Sequence, residues 1–352
     1  MLNAVLNAYG ISANEYNIEP FGAGLIHNTW RVTTKSNTFI LQKINHQVFK
    51  NPFAISENIQ RVSFFLKKNY PDYLFVTPVL SIENKDIILT ADGYFRLFPF
   101  VKQSTTYTSV ENPSLAQEAA KQFGKFTHLL SGFDLSTLKI SLPDFHNLSL
   151  RYHQFEHALL YGNKERLASA VPAVSRVKKY NDIVIKFEKM QRSGLFTQRV
   201  THHDTKISNV LFDKEQRGIC VIDLDTLMPG YFISDVGDMM RTYLSVAGEE
   251  EKDFSLISVR EDYYLAIVDG YLSEMRSDLK EEERKWFVFA GKFMIYMQAI
   301  RFLTDYLNND IYYGAKYEDQ NFIRANNQLC LLDRLEEKEQ LLLKKTRQST
   351  YI

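Results

Sequence analysis

The sequence predicts an α+β protein in two parts, a strand-rich part with one main helix and a larger, mainly helical part. Two observations predict this division. Short segments rich in β-branched and aromatic residues fill the first hundred or so positions. From about residue 112 onward, apolar residues recur at helical spacing over long segments. The predicted boundary assigns residues 1–102 to the first domain and residues 103–352 to the second.

The first part is predicted to form a small sheet domain that contains one helix. The strand segments read YNIEPF, NTWRVTT, TFILQKIN, DIILT and YFRLFPFV. Turn residues such as Asn37, Asn84 and Gly93 separate these segments. The helix PFAISENIQRVSFFLKKNY interrupts them, with apolar residues such as Ile55 and Ile59 on one face.

The second part is predicted to be a helical domain that holds a small hairpin. Its long amphipathic segments read SLAQEAAKQFGKFTHLL, EEERKWFVFAGKFMIYMQAIRFLTDYL and NFIRANNQLCLLDRLEEKEQLLLKK. Two short strand-like segments, VLFD and GICVIDL, break this pattern and are joined by KEQR.

Composition and charge exclude several classes of protein. The 352 residues include 42 acidic and 42 basic side chains, and this balance disfavours a nucleic-acid partner. Cys220 and Cys330 lie in apolar or helical patterns that favour buried thiols over a disulfide or a metal site. No apolar run approaches the length of a membrane span, and the N-terminus does not resemble a secretory signal. We expect a cytoplasmic chain, whose oligomeric state the sequence does not indicate.

The segment VTHHDTKISNVLFD (Val200–Asp213) concentrates ionisable residues in one loop. His202-x-Asp204 matches the first half of a two-histidine, one-carboxylate iron site, but no histidine follows position 203. The segment HQFEH (His153–His157) matches an inverted zinc-protease motif, yet its apolar stripe is typical of an ordinary amphipathic helix. The sequence therefore disfavours catalytic iron or zinc.

The same loop meets the requirements of phosphoryl transfer from ATP. Such transfer needs a carboxylate to accept the proton of the attacking hydroxyl, ligands for Mg²⁺, and positive charge near the transferred group. Asp204 supplies the carboxylate, and Lys206 can reach the γ-phosphate. Asn209 supplies a neutral ligand and Asp223 an anionic one, and a hairpin over 210–224 would bring them to the same end. The spacing therefore predicts an ATP- and Mg²⁺-dependent kinase.

Taken together, HHDTKISNVLFD, VIDLDTLMPG and SDVGDMMR resemble the aminoglycoside phosphotransferase and choline kinase superfamily. Within it, the sequence is most similar to the N-acetylhexosamine 1-kinases, on the segments GAGLIHNTW, FILQKINHQVF, ENI, YFRLFPF and RFLTDYL, in that order. The resemblance spans nearly the whole chain and implies a two-lobed, protein-kinase-like fold. The Asp-Phe-Gly and Ala-Pro-Glu signatures of protein kinases are absent from the sequence, which favours a small-molecule substrate.

The resemblance implies that the first domain binds the nucleotide. Gly22 and Gly24 belong to a glycine-rich turn that resembles the nucleotide loop. Glycine lacks a Cβ, so backbone amides there can approach phosphate oxygens closely. The segment RLFPFV, with Phe98 and Phe100, resembles the hinge whose backbone would hold adenine.

A lysine–glutamate pair of the superfamily is only partly matched. Glu57 on the first long helix resembles the glutamate, and either Gln42 or Lys43 fills the lysine position on the third strand. Neighbouring strand residues point to opposite faces, so only one of the two can face the phosphates. If it is Gln42, the phosphates lose one cation and Lys206 matters more.

The resemblance also supports Asp223 as the metal ligand, since it directly follows Val-Ile as in the superfamily's Ile-Asp pattern. Asp225 could share the metal or hold the hairpin, and both roles stay open. Asp235 resembles an aspartate that braces the catalytic loop.

For the sugar pocket, the resemblance indicates His27, Thr226 and Arg301. Arg301 can donate several hydrogen bonds to hydroxyls or to an N-acetyl carbonyl. The alternative for Arg301 is a helix-surface ion pair with Asp305, four residues later.

These observations predict a kinase for a small-molecule hydroxyl, and the resemblance implies the anomeric hydroxyl of an N-acetylhexosamine. Two alternatives stay open. The acceptor could be another sugar, an amino alcohol or an aminoglycoside, or the chain could be a nucleotide-binding pseudokinase.

Overall fold

The computed structural model describes residues 2–13, 15–22 and 26–351. Its helices and strands, in chain order, are α1 (Leu2–Ala8), β1 (Tyr16–Pro20), β2 (Asn28–Thr34), β3 (Thr38–Ile44), α2 (Pro52–Asn69), β4 (Ile88–Thr90), β5 (Gly93–Pro99), α3 (Pro113–Leu129), α4 (Leu148–Tyr161), α5 (Lys164–Ser169), α6 (Val171–Lys179), α7 (Asp182–Ser193), β6 (Arg199–Thr201), β7 (Val210–Phe212), β8 (Gly218–Val221), β9 (Met228–Gly230), α8 (Phe232–Tyr243), α9 (Glu261–Met275), α10 (Glu281–Arg284), α11 (Phe287–Leu307) and α12 (Gln320–Tyr351). The α+β prediction is confirmed.

The chain forms two compact units that interleave along the sequence. The first unit consists of Met1–Thr105, Gly132–Pro143 and Leu211–Pro229. The second unit consists of Thr106–Ser131, Asp144–Val210 and Gly230–Ile352. This division differs from the single predicted boundary between residues 102 and 103, because two later segments return to the first unit.

One buried asparagine explains why those later segments belong to the first unit. Nδ2 of Asn58, on α2, donates hydrogen bonds to the backbone carbonyls of Lys139 (2.8 Å) and Leu227 (3.0 Å). Its Oδ1 accepts the backbone N–H of Lys139 at 2.8 Å. A single side chain therefore fastens both returning segments to α2, and hydrophobic periodicity does not predict such a contact.

The first unit is built on an antiparallel sheet with the strand order β1-β2-β3-β5-β4. Helix α1 packs on one face of this sheet through Val5 and Leu6, against buried side chains that include Leu41, Phe95 and Leu97. Helix α1 was not predicted from the sequence. The same packing shows which face of β3 and β5 is the apolar one.

The second unit is mainly helical, as predicted. Its longest buried helix, α11, carries Lys292, whose Nζ pairs with Glu336 (2.5 Å) and Glu339 (3.2 Å) of α12. These ion pairs explain how a lysine is tolerated within an otherwise apolar helix. Within the described ranges, no helix combines the length and the apolar character that a bilayer crossing requires.

Candidate active site

The loop between β6 and β7 carries the predicted catalytic residues, and a buried carboxylate of α8 fixes its backbone. Asp235 is 1% exposed and accepts the backbone N–H groups of His202 (3.1 Å) and His203 (2.7 Å). The hydroxyl of Thr205 donates to the backbone carbonyl of Asp235 at 2.7 Å. These contacts agree with the bracing role that the resemblance implied.

A second aspartate of α8, Asp238, holds the same loop. It accepts the backbone N–H of Thr205 at 2.8 Å and pairs with Arg241 at 3.0 Å. Burial raises the pKa of Asp238, Arg241 lowers it, and the charge of Asp204 raises it again. Asp238 was not among the residues predicted from the sequence. Its spacing of three from Asp235, which places both on one face of a helix, was the signal that could have found it.

Asp204, Lys206 and Asn209 lie together in the second unit. Nζ of Lys206 lies 3.1 Å from Oδ2 of Asp204, whose side chain is 22% exposed. Nδ2 of Asn209 donates to the backbone carbonyl of Asp204 at 2.8 Å, which leaves the amide oxygen to face a cation. This loop can accept a proton from a hydroxyl and can offer an amide oxygen to a metal.

The residue before Asp204 has an unusual backbone conformation. His203 adopts a φ of 66°, in the left-handed region. Gly230 packs against its ring, since a Cβ at that position would lie 2.5 Å from Nε2 of His203. The ring of His146 contacts the ring of His203, with 5.1 Å between the two ring centres. Contacts from two residues therefore hold this backbone, and with it the position of Asp204.

We expect Asp235→Asn to lower both stability and turnover. The amide would direct its own N–H towards one of the two backbone N–H groups and leave a buried donor unsatisfied, at a cost of about 1–3 kcal/mol. Chemical denaturation measures the first effect and steady-state kinetics the second. Asp213→Asn, in the exposed β7–β8 turn, is the matched control. A variant as stable as the wild type would contradict the bracing role.

The same residue predicts a pH dependence of stability. Burial raises the pKa of Asp235 to about 6, although His202 and the two backbone N–H groups lower it. The unfolded chain has the ordinary value of about 3.9, so the folded state binds this proton more tightly. The contribution of Asp235 to the free energy of unfolding is therefore fully present below about pH 4 and should decrease as the pH rises from about 4 to about 6. Urea titrations of wild type and Asp235→Asn should show their stability difference changing across that window.

In the first unit, His27, Asp223 and Asp225 each place one ligand atom within 4.8 Å of the others. Asp223 follows β8, adopts a φ of 62° and is exposed. Aspartate tolerates this left-handed conformation better than most residues. Exposed carboxylate oxygens are ligands that Mg²⁺ accepts, so the side chain fits the predicted anionic ligand.

Asp225 is already engaged on both oxygens. Oδ1 pairs with Nη1 of Arg96 at 2.6 Å, and Oδ2 lies 2.8 Å from Nε2 of His27. Burial alone would raise the pKa of Asp225, but Arg96 and then His27 hold it well below its usual range. Its charge is therefore balanced within the first unit. Its ligand atom still lies within 4.8 Å of those of His27 and Asp223, so both of its open roles, sharing the metal and holding the hairpin, stay predictions.

Both ring nitrogens of His27 have contacts within the first unit. The backbone N–H of Asn45 donates to Nδ1 of His27 at 3.1 Å, and Nε2 faces Asp225 at 2.8 Å. The ring therefore supports Asp225, and its predicted contact with the sugar stays a prediction.

The register of β3 resolves the choice between Gln42 and Lys43. Oε1 of Gln42 accepts hydrogen bonds from Nε (3.0 Å) and Nη2 (2.8 Å) of Arg96, its direct partner on β5. Lys43 lies on the opposite face, with Nζ 5.9 Å from the ring centre of Phe95. Gln42 therefore shares a network with Arg96 and Asp225.

The predicted lysine–glutamate pair is not formed. Glu57 pairs instead with Arg61 one turn later on α2, at 2.5 Å, and its side chain is 39% exposed. On this face of the sheet, Arg96 of β5 is a buried cation whose carboxylate partner is Asp225. Its neighbour on β3, Gln42, is a neutral amide.

The remaining nucleotide residues are only partly described. Gly22 has a φ of 76°, which glycine adopts without strain, whereas Gly24 lies outside the described residues. The ring of Phe98 lies 5.0 Å from the Arg96 guanidinium, and Phe100 contacts Phe21 edge-on at 6.1 Å. Their adenine-binding roles stay predictions.

Thr226 and Arg301 lie in different units. Thr226 ends the short 3₁₀ turn Leu224–Thr226 and is 7% exposed. On α11, Nη1 of Arg301 donates to Gln298 at 3.2 Å and Nη2 to the hydroxyl of Tyr312 at 3.4 Å. Their sugar contacts stay predictions.

The alternative ion pair between Arg301 and Asp305 is not formed. Asp305 is 4% exposed, and its carboxylate accepts the backbone N–H groups of Tyr312 (2.7 Å) and Tyr313 (2.9 Å). The loop after α11 therefore uses this carboxylate.

Residues 17–276 match the phosphotransferase enzyme family. The matched range contains the loop with Asp204, the β7–β8 hairpin, Asp235 and Asp238.

Solved structures share the fold across nearly the whole chain. An aminoglycoside phosphotransferase from Alicyclobacillus acidocaldarius is 14% identical over 99% of this chain and 96% of its own, with a TM-score of 0.65. A microcompartment-associated aminopropanol kinase is 15% identical over 97% of both chains, with a TM-score of 0.67. A spectinomycin phosphotransferase in complex with ADP and spectinomycin is 14% identical over 96% of this chain and 98% of its own, with a TM-score of 0.57. The predicted protein-kinase-like fold is confirmed.

Proposed function

The chain belongs to the phosphotransferase enzyme family, and we propose that within it the protein is an ATP-dependent N-acetylhexosamine 1-kinase. The protein is a small-molecule kinase whose acceptor is a hydroxyl group. ATP as the donor is supported by the spectinomycin phosphotransferase, whose structures hold ADP or AMP.

The observation that carries the proposal is the braced loop with Asp204, Lys206 and Asn209. Asp204 accepts the proton of the attacking hydroxyl on a carboxylate oxygen that is partly shielded from water. Lys206 keeps positive charge beside that carboxylate and can turn to the transferred phosphoryl group. Because two aspartates hold the loop backbone, little reorganisation is needed when a hydroxyl arrives.

We propose that Asp223 and Asn209 hold Mg²⁺, through a carboxylate oxygen and an amide oxygen. When bound, the ion neutralises charge on the phosphate oxygens and aligns them for transfer. Asp225 contributes indirectly, since its pairs with Arg96 and His27 fix the segment that follows Asp223.

The acceptor class is supported by resemblance and by charge. The segments GAGLIHNTW, VIDLDTLMPG and RFLTDYL resemble the N-acetylhexosamine 1-kinases as a set. Amine-bearing acceptors, as in the names of the aminopropanol and aminoglycoside enzymes, need acidic pockets. Arg301, the proposed acceptor contact in the second unit, is a cation and disfavours them.

An ADP-release screen tests the proposal. N-acetylglucosamine, N-acetylgalactosamine, hexoses, choline, ethanolamine and aminoglycosides are offered with ATP and Mg²⁺, with Asp204→Asn as the blank. Turnover of an amine in preference to the N-acetylhexosamines would support the rival kinase class. ATP binding without any turnover would support a pseudokinase.

We expect the product to be an α-sugar 1-phosphate. One carboxylate must meet one ring hydroxyl of several, so the pocket has to hold the far side of the ring. Phosphorus–carbon coupling in the NMR spectrum of the product identifies the modified carbon. A phosphate on C6 would remove the 1-kinase assignment and leave the sugar kinase.

A further inference from the structure

A network of four charged side chains lies beside the loop that carries Asp204, within the second unit. It begins at Asp238, which accepts the backbone N–H of Thr205, the residue after Asp204, at 2.8 Å. Nε and Nη2 of Arg241 both lie 3.0 Å from Oδ1 of Asp238. Two nitrogens of one guanidinium therefore hold the carboxylate that fixes the backbone next to Asp204.

Glu249, in the segment between α8 and α9, joins Arg241 to a second arginine. Its Oε2 accepts a hydrogen bond from Nη1 of Arg241 at 3.2 Å, and its Oε1 accepts one from Nη2 of Arg324 at 2.5 Å. The side chains of Arg241 and Arg324 are 13% and 15% exposed, and that of Glu249 is 35% exposed. Water and salt therefore screen these pairs only in part, and one carboxylate binds two guanidinium groups.

Arg324 fastens the far end of the network to the helical core. It lies on α12, and its guanidinium lies 3.7 Å from the ring centre of Phe302 on α11, a fully buried side chain. Its Nη1 donates to Oδ1 of Asn321 at 3.1 Å, one turn earlier on α12. Contacts other than Glu249 therefore also set the position of this guanidinium. The charge network of Asp238, Arg241, Glu249 and Arg324 thus joins α11 and α12 to the loop that carries Asp204.

The charge of Arg241 serves several carboxylates at once. Burial alone would lower the pKa of Arg241, but Asp238, then Glu249 and then Asp204 raise it. Burial and the charge of Asp204 both raise the pKa of Asp238, so these two carboxylates repel each other. Arg241 offsets this repulsion while its guanidinium stays against Asp238. Glu249 holds the guanidinium there from its other end.

We propose that Glu249 is a positioning residue for the base. Through Arg241 and Asp238 it fixes the backbone at Thr205, and with it the orientation of the Asp204 carboxylate. The inference rests on the proposed role of Asp204 as the base and adds a residue that acts through other side chains. The sequence segments that carry the family resemblance do not contain Glu249.

The amide resonance of Thr205 tests the structural half of the proposal without ATP or turnover. Selective isotopic labelling of threonine nitrogen makes it visible, and Thr205→Ser identifies it. We expect Glu249→Gln to move this amide proton upfield, because a less firmly held Asp238 accepts the hydrogen bond more weakly. Glu250→Gln is the matched control and should leave the resonance in place. Glu250 is the next residue, and its carboxylate accepts hydrogen bonds from the neutral side chains of Gln320 (2.8 Å) and Tyr317 (3.4 Å).

Steady-state kinetics test the catalytic half. Glu249→Gln should lower kcat by about 2- to 30-fold, the range expected when a residue of a coupled network is replaced. The KM values for ATP and for the acceptor should stay unchanged, since only the orientation of the base is altered. Glu250→Gln should turn over as the wild type does. In an Asp238→Asn protein, where the link to Thr205 is already broken, Glu249→Gln should lower kcat no further.

Three results would overturn the proposal. They are an unmoved Thr205 resonance in Glu249→Gln, equal losses of kcat in Glu249→Gln and Glu250→Gln, and additive losses in the double variant with Asp238→Asn. Thermal melting of each variant corrects kcat for the folded fraction. If Asp238→Asn does not fold, the comparison of the two glutamate variants decides alone. Failure of every acceptor in the ADP-release screen would remove the proposed function and leave the result for the Thr205 resonance intact.

Discussion

Replacing Asp204 with asparagine is expected to leave the fold intact and to lower kcat by about 10²–10⁴-fold, the usual cost of losing a positioned base. The substitution keeps the shape of the side chain and the backbone carbonyl to which Asn209 donates. It removes the charge that faces Lys206 and the oxygen that takes the proton. The loop itself should stay in place, because Asp235 and Asp238 hold its backbone independently of that carboxylate.

Steady-state kinetics with saturating ATP and acceptor give the effect on kcat. Asp213→Asn, which breaks only an exposed pair with Arg217, should turn over as the wild type does. A kcat for Asp204→Asn close to that of the wild type would remove Asp204 from the role of base. Lys206→Met then tests whether the lysine acts on the phosphoryl group, since it should lower kcat without changing the affinity for the acceptor.

Replacing Asp223 and Asp225 with asparagine, one at a time, should separate an effect on metal binding from an effect on stability. Asp223→Asn keeps a residue that tolerates a left-handed backbone, removes an exposed charge, and should weaken Mg²⁺–nucleotide binding without much change in stability. Asp225→Asn leaves the buried Arg96 without its counter-charge and should cost about 3–5 kcal/mol of stability.

Calorimetry with Mg²⁺ and a non-hydrolysable ATP analogue measures the first effect, and chemical denaturation measures the second. The two variants are controls for each other, since each changes one carboxylate to an amide two positions apart. Lost nucleotide affinity in a stable Asp225→Asn protein, with none lost in Asp223→Asn, would reverse the assignment.

The sequence places Asp204, Lys206 and Asn209 in one loop correctly because their spacing is local. Asp204, Lys206 and Asn209 lie within six positions, so their spacing alone places them together. The choice between Gln42 and Lys43 is different, since it depends on strand register, and a shift of one residue exchanges the two faces. The chemistry of Gln42 and Lys43 does not determine which of them lies on which face of the sheet.

Contacts between distant parts of the chain account for most of what the sequence did not predict. His27 meets Asp225 across 198 positions, whereas the resemblance implied a sugar contact for His27 and left the role of Asp225 open. Arg96, which pairs with Asp225, lies in the strand segment YFRLFPFV and had no predicted role. The single predicted boundary differs from the observed division for the same reason, because Asn58 binds segments far along the chain.

The bond between Gln42 and Arg96 makes these two positions evolutionarily dependent. A lysine at position 42 would set an ammonium against the guanidinium that now donates to the amide. Such a lysine could therefore be accommodated only after the arginine had been lost, and the arginine's loss would first leave Asp225 without its counter-charge. This dependence favours replacing residues 42 and 96 together over replacing either one alone. Among relatives we expect positions 42 and 96 to change as a pair, so that comparing either column alone would underestimate the constraint.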